Sequence, residues 1–130
     1  MTVLKVLMVI LGLVRVVFGA FILLAPGQFL DTMGLGTLSD TARFFMGAVG
    51  VAWISVGAWA IYAVGDLARN IIAVKLVITM ELLNAAGMVY SGAIGFMSFG
   101  DMALPIALAV VFAALLLIFY PWRAGQPAKQ

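Results

Sequence analysis

Three polar side chains, Arg15, Glu81 and Asn84, lie inside stretches of sequence that are otherwise apolar. A guanidinium, a carboxylate and an amide in that setting can do one of two things. They can hold a proton, an ion or a charged ligand, or they can satisfy one another and fix two segments in register. Arg15 sits in the middle of an apolar run covering residues 3–25, which exceeds the roughly 20 residues a bilayer-spanning helix needs. Arginine at the centre of such a helix costs about 2.5–3.5 kcal/mol on insertion scales, so a partner is expected. Glu81 is the one acid inside an apolar stretch, because Asp31, Asp40, Asp66 and Asp101 fall in connections or at helix starts. Glu81 and Asn84 are three residues apart and share a helical face. At a rise of about 1.5 Å per residue, Arg15 lies about 18 Å from the start of its run and Glu81 about 15 Å from the start of its own. Pairing of Arg15 with Glu81, with Asn84 as an additional partner, is the simplest way to bury both charges. Such a pair is read first as an internal staple, since a paired glutamate has no evident reason to exchange a proton.

Composition narrows the chemistry further. Neither cysteine nor histidine occurs. That excludes disulfides, thiol chemistry and c-type haem attachment, and it takes away the usual ligands for haem, zinc or copper. The eight methionines, Met33, Met46, Met80, Met88 and Met97 among them, form no stripe. No cofactor, no metal site and no enzymatic activity are therefore expected. Trp53 reads as a packing residue, with a cofactor platform as the lesser alternative. A net charge of +2, dispersed along the chain, gives no footprint for nucleic acid.

The elements that must position these residues are membrane helices. The chain is 66% hydrophobic and 9% charged, with a mean hydropathy of +1.25, against the roughly 25% charged residues of an ordinary soluble domain. An all-α, integral membrane four-helix bundle in one domain is expected, with spans at about 3–25, 43–64, 69–95 and 102–120 and a polar tail at 123–130. The first apolar run is too long for a signal peptide and ends in Ala25, Pro26 and Gly27, so it reads as a retained span. Residues 28–41 form the longest connection, with a short helical turn expected at 28–33. Ser39 or Asp40 is placed to cap the second span and Asp66 the third. The link 96–101 is short, and Pro105 is expected in the first turn of the fourth span. Lys5, Arg69, Lys75, Arg123 and Lys129 all fall on one side if both termini are cytoplasmic, leaving Arg43 opposite, so the topology reads as N-in, C-in. Trp59, Tyr62, Tyr120 and Trp122 then gather at one interface.

Small residues repeat on three of the four spans. Gly12 and Gly19 flank Arg15 on one face. Gly47, Gly50 and Gly57 follow Arg43 on the second span, and Gly87, Ser91 and Gly95 form a small-xxx-small run on the third. The fourth span has no glycine and no polar residue between Met102 and Tyr120. Tight packing of the first three spans is expected, with the fourth greasier and turned to lipid or another subunit. Arg69 and Lys75 are candidates for contact with anionic lipid.

The pattern Gly12, Arg15, Gly19, Leu23, Pro26, Phe29, Gly34, Leu35, followed by Ala42, Arg43 and Gly47, resembles the N-terminal third of uncharacterised bacterial four-helix membrane proteins loosely similar to the DoxX group. The resemblance implies a four-helix bundle and assigns no catalytic residue. Small multidrug exporters carry a glutamate in the first span, where this chain has arginine. The expected function is that of a non-catalytic structural or accessory subunit of a larger membrane protein complex in the bacterial plasma (inner) membrane. Its partners would be the bilayer and other membrane subunits or itself. The alternative is a small oligomeric transporter or channel for a proton, ion or small molecule, using Glu81, Asn84 and Arg15.

Overall fold

The computed structural model describes residues 2–34, 36–37, 39–96 and 98–121, except for the side chain of Met102. The tail at 123–130, with Arg123 and Lys129, lies outside the described residues, as do Leu35, Leu38, Met97 and Trp122. The described residues form five helices and no strand: α1 (Thr2–Leu24), α2 (Pro26–Thr32), α3 (Asp40–Ala63), α4 (Ile71–Ala93) and α5 (Phe99–Ile118). Of these, α1, α3 and α4 are long and apolar enough to cross a membrane, whereas the apolar part of α5 is the shorter Ala103–Ile118.

Local chemistry sets the boundaries. Proline disfavours α geometry in the residue before it, and Ala25 adopts φ −136°, ψ 55°, which separates α1 from α2. Pro26 opens α2, where a missing N–H costs nothing, and Gly34 at φ 65° takes the chain out of it. Ser39 caps α3, its Oγ accepting from the Ala42 N–H at 3.1 Å. Two starts differ from expectation. Asp66 accepts from the Arg69 N–H at 3.1 Å, so it braces the turn before α4 instead of capping the helix, and α4 begins at Ile71 after Asn70. Ser98 accepts from the Gly100 N–H and starts α5 three residues earlier than expected, leaving Pro105 inside the helix. The carbonyl of Asp101, four residues back, then has no proline N–H to accept from.

The long helices associate as two pairs, which corrects the expectation of three tightly packed spans with a fourth apart. In the first pair, α1 lies against α3. A Cβ added at Gly57 would come within 2.6 Å of the Gly12 carbonyl oxygen, and one at Gly19 within 2.7 Å of the Gly50 carbonyl oxygen. Hydrogen in place of a side chain at these four positions is what lets the two backbones touch. In the second pair, α4 lies against α5, with the Phe99 ring on Gly92 and Ala109, Ala113 and Leu116 of α5 buried. Gly47, Gly87 and Gly95 have nothing within 4 Å of where a Cβ would stand, so none is a point of close approach. Gly95 instead ends α4 at φ 73°, and Ser91 bonds back to the carbonyl of Gly87 on its own helix. Spacing alone does not tell a packing stripe from small residues on an open face.

The pairs meet in a core of Leu4, Met8 and Leu11 from α1, Ala60 and Ala63 from α3, Leu67, Val74, Val77 and Ile78 from and just before α4, and Leu116 from α5. The first half of α1, the end of α3, the first half of α4 and the end of α5 therefore converge. Near the same end of α3, the rings of Trp59 and Tyr62 meet edge to face at 5.7 Å. Gly57→Leu is expected to destabilise the protein by about 1–3 kcal/mol through overpacking against backbone. Gly87→Leu, into open space, should stay within about 0.5 kcal/mol. Denaturant unfolding in a fixed detergent followed by circular dichroism separates the two; equal losses would contradict the asymmetric role of the glycines.

Candidate functional site

Arg15 and Glu81 meet near the middle of their helices, and both are buried, at 7% and 2% exposure. Arg15 Nε donates to Glu81 Oε1 at 2.8 Å, and Nη2 donates to the same oxygen. Asn84, one turn along α4, turns its amide oxygen to the guanidinium and accepts from Nη1 and Nη2 at 2.9 Å each. That amide orientation is assigned from hydrogen bonding, as is usual for asparagine. Every nitrogen of the guanidinium thus has an acceptor, all of them supplied by α4.

The flat face of the guanidinium is covered as well. Arg15 Cζ lies 4.3 Å from the centre of the Trp53 ring, within the range where the ring quadrupole attracts a cation. The Phe18 ring adjoins Trp53 at 6.4 Å between centres. The glycines explain the placement. Trp53 lies three residues after Gly50 and four before Gly57, on the side of α3 that approaches α1. Since α1 and α3 touch at Gly12–Gly57 and Gly19–Gly50, the ring and the guanidinium are forced together between the two crossings.

The structure thus brings together all three residues of the predicted polar cluster and adds Trp53, which sequence reasoning left as packing. A signal was present: Trp53 shares its face with the two glycines of α3 that contact α1. Arg15–Glu81 is the one ion pair among the described residues. Arg69 and Lys75 are exposed, and Lys5 is half-buried. Among the described residues no group of three His, Cys, Asp or Glu side chains is placed to hold a metal. A positive and a negative charge in direct contact leave the cluster neutral, and its hydrogen bonds run between the two helix pairs.

No protein family, no curated protein and no solved structure matches this chain, so the resemblance to DoxX-like proteins gains no support.

Two tryptophans of α3 provide a test. Trp53→Leu removes the surface under a desolvated cation and is expected to cost about 2 kcal/mol. Trp59→Leu, at a site 55% exposed, should change stability by no more than about 0.5 kcal/mol. Asn84→Leu takes away an acceptor of a buried guanidinium and should cost about 1–3 kcal/mol. Thermal and denaturant unfolding in detergent read all three, and a Trp53 variant as stable as the Trp59 variant would exclude the stacking role.

Proposed function

We propose that this chain is a non-catalytic integral membrane protein, a bundle of four spans that serves as a structural or accessory subunit of a larger membrane assembly. The observation that carries this reading is the saturation of Arg15. A guanidinium with acceptors on every nitrogen and an indole on its face is arranged to be held, and a transport site would need at least one of those groups to exchange partners with a ligand. The polar cluster is, on this reading, the staple that joins two helix pairs.

In this proposal α5 is the fourth span, and both termini lie in the cytoplasm of a bacterial cell. The bias of Lys5, Arg69 and Lys75 to one side, with Arg43 on the other, supports that orientation. Arg69 and Lys75 then stand at the height of phospholipid headgroups, where anionic lipid is their natural counter-charge. The outer side of α5, with Leu104, Leu108, Val111 and Ile118 exposed, is the surface offered to lipid or to a partner subunit.

Extraction in mild detergent followed by native mass measurement tests the reading. Recovery in fixed stoichiometry with larger membrane proteins is the expected result. A self-contained oligomer whose ion or proton flux in liposomes is lost in Glu81→Gln would overturn it in favour of transport.

A further inference from the structure

The two ends of the bundle carry opposite charge. At the end where the core lies, three cations stand beside its members in the chain: Lys5 follows Leu4, Lys75 follows Val74, and Arg69 comes two residues after Leu67. Asp66 is the one acid at that end among the described residues, and its carboxylate accepts from the Arg69 N–H. At the far end Asp31, Asp40 and Asp101 outnumber Arg43. Side chains of the core end thus leave an excess of two positive charges, and those of the far end an excess of two negative ones. None of Lys5, Arg69 and Lys75 forms an ion pair with a described residue.

The cations lie at matched depth on the two helix pairs. At a rise of about 1.5 Å per residue, Lys5 stands about 15 Å along α1 from Arg15, and Ile71, where α4 begins, about 15 Å along α4 from Glu81. Since Arg15 and Glu81 touch, Lys5 and the turn that carries Arg69 come to the same level. Lys75 is about 9 Å from Glu81 along the helix, and its long, exposed side chain can reach outward to that level. Trp59 and Tyr62, 55% and 67% exposed, lie just past the Gly12–Gly57 contact toward the same end. Amphipathic rings and free cations at one depth mark the headgroup layer.

We propose that the core end of the bundle binds a phospholipid whose headgroup carries two linked phosphates, one phosphate at Lys5 on the first helix pair and the other at Arg69 and Lys75 on the second. Charge complementarity selects the headgroup: two phosphates match the excess of two positive charges, and one phosphate leaves half of it. Linkage adds to the match, because once the first phosphate is held the second binds as an intramolecular event. Such a lipid ties the pairs together at the membrane surface, as Arg15 and Glu81 do at mid-depth, and by binding only the folded bundle it raises stability. The site deepens the anionic-lipid contact proposed above for Arg69 and Lys75 and rests on it. It is separate from the subunit role, which co-purification tests.

The test titrates the delipidated protein, in a neutral detergent, with cardiolipin, phosphatidylglycerol and phosphatidylcholine of the same acyl chains, and with inorganic pyrophosphate. Native mass measurement counts bound lipid, and thermal unfolding reads the stabilisation. Cardiolipin is expected to bind one per chain at a concentration about tenfold below phosphatidylglycerol, a difference of about 1.4 kcal/mol, and to raise the unfolding temperature. Phosphatidylcholine and pyrophosphate should leave that temperature unchanged. Lys5→Gln with Arg69→Gln removes one cation from each pair and should abolish the tenfold preference, whereas Lys5→Arg with Arg69→Lys keeps it and Arg43→Gln, at the far end, leaves it unaltered. Lys75→Gln replaces the double change if that variant does not fold. Equal affinity for cardiolipin and phosphatidylglycerol would overturn the two-phosphate site while sparing the simpler lipid contact; equal binding of phosphatidylcholine would end both. A preference that survives the charge-removing variant, that is lost in Arg43→Gln, or that pyrophosphate reproduces would overturn the site as well.

Discussion

The contact between Arg15 and Glu81 is the interaction on which the arrangement of this molecule depends. Within each helix pair, association is a matter of surface: backbone against backbone at Gly12–Gly57 and Gly19–Gly50, ring against glycine at Phe99–Gly92. Between the pairs, the mid-depth connection is a guanidinium reaching from α1 to a carboxylate and an amide on α4. Packing in a bilayer has little help from the hydrophobic effect, because lipid chains are as apolar as leucine. Polar contacts across helices then carry specificity that apolar contacts cannot. A single arginine and a single glutamate in apolar helices can reach a common depth in only one register, and in that register Leu4, Met8 and Leu11 belong to the same buried core as Val74, Val77 and Ile78.

The glycines and the ion pair form one device. Burying a guanidinium demands that lipid be excluded from its faces as well as its edges. Gly50 and Gly57 draw α3 close enough for Trp53 to cover one face, and Gly12 and Gly19 clear the way on α1. The indole and the carboxylate thus approach the same cation from different helix pairs, so the charge is at once shielded and made a bridge.

Much of this was legible in the chain. Composition and run length indicate the helices, and one arginine and one glutamate at matched depth indicate their pairing, since few other partners exist for either. The Gly12 and Gly19 stripe was readable because it flanks a charge that needs cover. The pairing of α4 with α5 was not: glycine spacing on α4 suggested a seam at Gly87, Ser91 and Gly95, whereas the seam uses Gly92. Small residues at i, i+4 and i+8 carry no information about which neighbour, if any, stands opposite. The start of α5 was missed for a similar reason. Ser98 is an ordinary cap, but Pro105 drew the boundary toward itself, because a proline is commoner in a first turn than inside a helix.

The central claim is that Arg15 and Glu81 stabilise the bundle as a unit. A double-mutant cycle on unfolding free energy tests it most directly, with Arg15→Leu, Glu81→Leu and both together. Each single change leaves one buried charge without its partner and is expected to cost about 3–5 kcal/mol, whereas the double change removes both charges and should be less destabilising than either alone. Single losses that simply add in the double variant would contradict the account.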